Sequence, residues 1–137
     1  MDYPVRVADP IPFKRLHKLG AGAAGEVWYA EDEGRKLAVK VAAPGRSLAA
    51  EIGALARLRH PNVPELLAAD RGATWMARAY VAGARLTSWA HGRPLAERLE
   101  VMSRVGEAMV AVHGAGVMHG DLSPANVLVD EEGQPHL

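Results

Sequence analysis

The stretch HGAGVMHGDLSPANV, residues 113–127, determines how the rest of the chain is interpreted. Within it, Asp121 is a candidate proton acceptor and Asn126 a candidate metal ligand, five positions further on. Gly120 and Pro124 predict a loop, with a helix before it and a strand after it. Because reactive side chains are often carried on loops held by rigid elements, this segment is a candidate catalytic site.

Composition limits the number of domains and the kinds of partner that the chain can be expected to have. The 137 residues correspond to about one domain, and 49% of them are hydrophobic, which is enough for a core. Sixteen basic and sixteen acidic side chains cancel, so overall charge does not indicate nucleic acid or an anionic membrane as a partner. The absence of cysteine excludes disulfides and thiolate metal sites. With neither a secretory signal nor an apolar run long enough to span a bilayer, we expect a cytoplasmic protein.

The first half of the chain has the pattern of a small sheet with one helix. Residues 1–12 form an irregular lead that ends near two prolines, and residues 20–25 form a glycine turn. Runs of β-prone residues between turn signals predict five antiparallel strands, and a helix is predicted between the third strand and the fourth. The predicted strands are 13–19, 27–30, 36–42, 63–69 and 74–81, and the helix is 47–59.

The second half is dominated by a long helix, residues 95–113. A narrow charged stripe separates two apolar flanks, so the helix needs neighbours around most of its circumference. One flank is Leu95, Leu99, Met102 and Met109, and the other is Val101, Val105, Ala108 and Val112. Short β-prone runs on either side of the turn residues 131–133 then predict a hairpin over 127–137.

The segment LGAGAAGEV, residues 19–27, is a first candidate binding motif. Its glycines allow backbone N–H groups to approach phosphate oxygens closely. The dinucleotide-binding form of this motif needs a helix directly afterwards, but residues 27–29 are β-prone. Taken alone, the segment is better explained as an ordinary glycine-rich hairpin than as a phosphate-binding loop.

Lys40 is a second candidate because it interrupts the apolar strand LAVKV, residues 37–41. Such a lysine either extends to solvent at a sheet edge or is held by a carboxylate so that it can contact phosphate. Glu51, on the following helix, is the candidate partner. Its position ten residues before Pro61 gives the pairing more weight than chance spacing would.

Taken together, these segments resemble the protein kinase family, and the resemblance runs from about Phe13 to Leu137. Four ordered motifs carry it. They are the glycine loop ending at Val27, Ala38-Val39-Lys40, the Glu51 helix ending in His60-Pro61-Asn62, and His119-x-Asp121-x-x-x-x-Asn126. The fold class implied is α+β and protein-kinase-like. It comprises a five-stranded antiparallel N-terminal lobe with one helix, residues 13–82, and the start of a mainly helical C-terminal lobe, residues 83–137.

The resemblance implies a role for each motif in binding Mg-ATP. The glycine loop would cover the phosphates, and Lys40 would contact the α- and β-phosphates while pairing with Glu51. Asp121 would orient the acceptor hydroxyl and take its proton, and Asn126 would bind a magnesium ion. The residues implied in nucleotide binding are Leu19, Gly20, Gly22, Gly25, Val27, Ala38, Lys40, Tyr80, Val81 and Leu128. Of these, Tyr80 and Val81 would meet adenine, and Val27, Ala38 and Leu128 would enclose it.

Several positions depart from the family pattern. Gly120 replaces the usual arginine, and Ser123 stands where serine/threonine kinases usually carry a lysine. Arg78 falls where the family limits access behind adenine. The sequence around Asp121 also resembles small-molecule kinases of the aminoglycoside and choline type. The phosphate acceptor is therefore left open between a small molecule of this kind and a serine or threonine of a protein substrate.

The sequence ends before the Asp-Phe-Gly motif and the helices that follow it in the family. We therefore expect little turnover from this chain alone, since one magnesium ligand is missing. The alternative to an enzyme is a catalytically inactive, nucleotide-binding remnant. We also expect a dimer or a partner to cover the exposed apolar surface of the long helix, because leaving a large apolar side chain in water forfeits about 1.5–3 kcal/mol.

Overall fold

The computed structural model describes residues 5–115 and 127–137. Its elements in chain order are β1 Arg6–Val7, β2 Lys14–Gly22, β3 Gly25–Asp32, β4 Arg35–Ala42, α1 Ala49–Arg57, β5 Leu66–Ala69, β6 Trp75–Ala79, β7 Gly83–Arg85, α2 Leu86–Trp89, α3 Leu95–Gly114, β8 Leu128–Asp130 and β9 Pro135–His136. They group into two compact units. Unit 1 comprises Met1–Arg57 and Glu65–Tyr80, and unit 2 comprises Leu58–Pro64 and Val81–Leu137.

Unit 1 is built on a six-stranded sheet in the order β1-β5-β6-β4-β3-β2. The prediction of five antiparallel strands is therefore wrong in its count, as is that of a wholly irregular lead over residues 1–12. Arg6 and Val7 pair in parallel with Ala68 and Ala69, and the Ala8 N–H donates to the Ala69 carbonyl at 3.2 Å. A two-residue strand shows no alternation in sequence, so only its pairing partner reveals it.

Alternation along the strands gives this sheet two chemically different faces. One face, called here the core face, includes Leu37 and Val39, which are buried together with Ala30 and Ala77. Phe13 closes this core by packing edge-to-face on Trp75, with ring centroids 6.0 Å apart. The opposite face, called here the Lys40 face, carries the residues that alternate with these, including Ala38 and Lys40.

Helix α1 begins where the Ala49 N–H donates to the Ser47 hydroxyl at 3.2 Å, an arrangement typical of helix starts. It buries Ala54 and Leu55 and ends at Arg57. The helix is thus shorter at both ends than the predicted 47–59. Its C-terminal end falls before the His-Pro-Asn segment, which belongs to unit 2.

The core of unit 2 forms along one flank of α3. Val101, Val105, Ala108 and Val112 are buried there with Leu86, Val127, Val129 and Leu137. On the other predicted flank, the side chains of Leu95, Leu99 and Met102 remain 62%, 59% and 51% exposed. The expectation that a dimer or partner covers this flank stays a prediction.

A three-stranded sheet, β7-β8-β9, completes the described part of unit 2. Gly83 lies in β7 opposite Asp130, where a Cβ atom would come within 2.3 Å of the Val129 carbonyl oxygen. Asn62 is only 4% exposed. Its side-chain amide N–H donates to the Pro135 backbone carbonyl at 2.8 Å, and its backbone carbonyl accepts the Leu137 N–H. The His-Pro-Asn segment therefore anchors strand β9.

Asp130 organises the β8–β9 hairpin. Its Oδ1 accepts the N–H groups of Glu132 and Gln134, and its Oδ2 lies 2.9 Å from His136 Nε2. Burial raises the pKa of Asp130, but these hydrogen bonds outweigh it, so the pKa is held below its ordinary value. The native state therefore binds this proton more weakly than the unfolded chain.

We expect this hairpin to lose stability in acid. A lowered native pKa stabilises the fold above the unfolded pKa of about 3.9, and the stabilisation is lost as pH falls through the native value. In urea unfolding followed by circular dichroism between pH 3 and 7, Asp130→Asn should flatten the acid limb. Glu131→Gln, an exposed neighbour in the same turn, should not. Identical acid limbs in Asp130→Asn and the wild type would contradict the assignment.

Candidate active site

The centre of the candidate site is an ion pair between the sheet and α1. Lys40 Nζ lies 2.9 Å from Glu51 Oε2, and the two side chains are 20% and 32% exposed. Lys40 pairs across the sheet with Val27 on β3 and Met76 on β6. The ammonium group therefore rises from a central strand, and the carboxylate comes from the first turn of the helix.

Local sequence explains why this pair forms. The strand around Lys40 is otherwise apolar, so the ammonium has no other group on β4 to pair with. Glu51 lies near the positive end of the α1 dipole, where a carboxylate is favoured. Because each charge has lost much of its water, removing either one leaves the other poorly compensated.

The glycine segment forms the β2–β3 hairpin. Gly22 and Gly25 pair at its end, and Gly25 has a φ of 144°, which L-residues rarely adopt. A Cβ atom on Gly25 would lie 1.9 Å from the Val41 carbonyl oxygen, whereas Cβ atoms on Gly20 or Gly22 would meet nothing within 4 Å. The fold thus requires Gly25, while Gly20 and Gly22 leave open space along the hairpin.

Most of the predicted site residues of unit 1 lie together on the Lys40 face. Gly20 pairs with Val27, and Val27 pairs with Lys40. Ala38 lies two residues from Lys40 on the same face of β4. The Tyr80 N–H donates to the Lys36 carbonyl at 3.0 Å, which fixes the chain just after β6. Leu19, in β2, is 37% exposed.

The other predicted site residues divide into two groups. Val81 and Leu128 belong to unit 2, where Leu128 is half-buried in β8 between Arg85 and His136. Asp121 and Asn126 lie outside the described residues. Their roles stay predictions.

Tyr29 is a residue of this face that the sequence analysis missed. It pairs with Ala38, and its ring packs edge-to-face on Tyr80 with centroids 5.0 Å apart. Its hydroxyl donates to Glu31 Oε1 at 2.7 Å, and this bond raises the pKa of Tyr29 to about 12. Alternation from Val27 would have placed Tyr29 here, because residues two apart in a strand share a face.

The chemistry of this face suits an anionic ligand. An ammonium group is held beside open space along a glycine hairpin, and apolar Val27 and Ala38 lie next to it. Among residues 5–115 and 127–137, no three His, Asp or Glu side chains group closely enough to hold a metal ion. No helix in the same ranges has the length and apolar character needed to cross a membrane.

Comparison with known proteins identifies the class to which this fold and site belong. A family model described as the protein kinase domain matches residues 13–137. Serine/threonine-protein kinase AfsK of Streptomyces coelicolor is 34% identical over 140 residues, covering 89% of this chain and 17% of that protein. The probable serine/threonine-protein kinase PkwA of Thermomonospora curvata is 30% identical over 147 residues, covering 95% and 20%.

A third relative is a kinase that is named for its response to DNA damage. The DNA damage-responsive serine/threonine-protein kinase RqkA of Deinococcus radiodurans is 31% identical over 142 residues, covering 91% of this chain and 21% of that protein. This chain belongs to the protein kinase family, with bacterial serine/threonine kinases among its relatives. It spans about a fifth of the length of these three relatives.

The two kinds of glycine should respond differently to alanine. Gly25→Ala should cost about 1–3 kcal/mol of unfolding free energy, because its backbone conformation and its contact with Val41 both exclude a Cβ atom. Gly22→Ala, the matched control in the same hairpin, should change it by no more than about 0.5 kcal/mol. Urea unfolding measures both. Equal losses in the two variants would contradict the packing described for Gly25.

Proposed function

We propose that this chain forms part of a kinase that transfers the γ-phosphate of Mg-ATP to a serine or threonine hydroxyl of a protein. The observation that carries the proposal is the Lys40–Glu51 pair, 2.9 Å between Nζ and Oε2. Membership of the protein kinase family supports the phosphotransferase class. The choice of a protein acceptor rests on the serine/threonine kinases among the relatives.

In this proposal, Lys40 binds the α- and β-phosphates and Glu51 fixes the position of its ammonium group. A charged donor on a phosphate oxygen forms a stronger hydrogen bond than a neutral one. The open space at Gly20 and Gly22 allows their backbone to approach the phosphates closely. Leu19, Val27 and Ala38 supply apolar contact, and Tyr80, Val81 and Leu128 complete the proposed adenine contacts.

Asp121 and Asn126 carry the proposed chemical step. Asp121 accepts the proton of the acceptor hydroxyl. The hydroxyl oxygen bonds to the γ-phosphorus of ATP, and the bond between that phosphorus and the β–γ bridging oxygen breaks. Asn126 is the proposed magnesium ligand, and the ion supplies charge neutralisation of the phosphates. The cytoplasm stays the proposed compartment.

Isothermal titration calorimetry with Mg-ATP tests the nucleotide site. Lys40→Ala should weaken binding about tenfold or more, since it removes a charge-assisted hydrogen bond. Lys14→Ala removes the same charge from an exposed position on β2 and should leave the affinity unchanged. Equal affinities in the wild type and Lys40→Ala, or no binding by a folded wild type, would overturn the proposal.

Phosphate transfer distinguishes the remaining classes of activity. Radiolabelled ATP is offered with a serine-rich protein, an aminoglycoside or no acceptor, and Asp121→Asn serves as the catalytic control. Label in the protein that is lost in Asp121→Asn supports a protein kinase. Label in the aminoglycoside alone identifies the small-molecule class. Binding without transfer is the expected result both for a nucleotide-binding module and for a chain that has little turnover of its own.

A further inference from the structure

Arg78 is a charged residue at a partly buried position, where an apolar side chain would avoid the free-energy cost of taking a charge out of water. It lies in β6, between β5 and β4 in the sheet, and it is half-buried. Within residues 5–115 and 127–137, no hydrogen bond or close ion pair of its guanidinium is found. A guanidinium keeps its proton under ordinary conditions, so it cannot avoid the free-energy cost of burying its charge by becoming neutral. A nearby carboxylate would offset that cost.

Strand register places Arg78 on the Lys40 face. Arg78 pairs with Ala38, and Met76 pairs with Lys40. Because alternate residues of a strand share a face, Lys40 and Arg78 are diagonal neighbours on that face. Diagonal neighbours are about 7–8 Å apart, a distance that long side chains span.

Glu51, whose carboxylate lies 2.9 Å from the Lys40 ammonium, is also near enough to interact electrostatically with Arg78. Burial lowers the pKa of Arg78, and the Glu51 carboxylate counteracts part of that effect. Strand β5, the other neighbour of α1 in unit 1, contributes only Leu and Ala residues. Lys40, through its ion pair, and Arg78, through this attraction, are thus two cations of the sheet that interact with Glu51.

We propose that Arg78 is a positioning residue, a second cation that shares Glu51 with Lys40 across one face of the sheet. This inference rests on the proposed nucleotide site. When Lys40 binds phosphate, its hydrogen bonds are divided between two anions. Arg78 then continues to attract the Glu51 carboxylate, so α1 and Lys40 keep their relative position. The arrangement contains two cations for one internal carboxylate, which leaves a net positive charge for the ligand.

A double-mutant cycle on nucleotide affinity tests the positioning role. Arg78→Met should weaken Mg-ATP binding about tenfold in the wild type and less than about twofold in a Glu51→Gln background. Arg78→Lys should restore most of the affinity, because it returns the charge. Arg71→Met removes an arginine from the exposed turn before β6 and should have no effect. An equal loss from Arg78→Met in both backgrounds, or no loss in either, would overturn the proposal.

The same cycle without nucleotide separates this inference from the proposed function. The change in melting temperature caused by Arg78→Met should differ between the wild-type and Glu51→Gln backgrounds, whatever its sign. Identical changes overturn the shared-carboxylate arrangement. If the cycle shows coupling but the folded wild type binds no Mg-ATP, the proposed function and the positioning role both fail, and only the electrostatic contact survives.

Discussion

The ion pair between Lys40 and Glu51 is the interaction on which the candidate site depends. It joins a central strand to the only helix of unit 1 in the described residues, and its two charges are mostly withdrawn from water. A half-buried pair contributes little net stability, because desolvation offsets attraction. The pair instead fixes how α1 is placed on the sheet, because any packing of α1 that separated the two groups would leave an uncompensated charge on each of them.

The sheet of unit 1 makes this arrangement possible by separating two tasks. Residues such as Leu37 and Val39 supply apolar burial on the core face. The residues between them are then free to be polar, and Lys40 lies on the other side of the same strand. A one-residue shift in strand register would exchange the two faces. Burial on the core face therefore fixes the direction in which Lys40 points.

Much of unit 1 could be predicted from its sequence because its signals are local. Alternation and turn residues located β2 to β6, and the positions of Lys40 and Glu51 in consecutive elements predicted their contact. Strand β1 could not be predicted, since two residues carry no periodicity and the pairing with Ala68 and Ala69 is distant in sequence. The extra residues at the ends of β2 and β3 come from the Gly22–Gly25 pairing, which composition alone does not indicate.

Unit 2 was less predictable, because its structure depends on distant contacts. The two apolar flanks of α3 look alike in sequence, yet only the one bearing Val101 and Val105 is buried. Gly83 was not predicted to lie in a strand, because the residue it pairs with, Asp130, is far along the chain. The hydrogen bond from Asn62 to Pro135 could not be predicted either, because the two residues are 73 positions apart. The segment with Asp121 and Asn126 was identified by motif alone and lies outside the described residues.

The most direct test of this account is a crystal structure of the chain with magnesium and a non-hydrolysable ATP analogue. We predict that Lys40 Nζ lies within hydrogen-bond distance, about 2.7–3.2 Å, of both the Glu51 carboxylate and a phosphate oxygen. A nucleotide bound elsewhere, or bound with Lys40 separated from Glu51, would contradict the account.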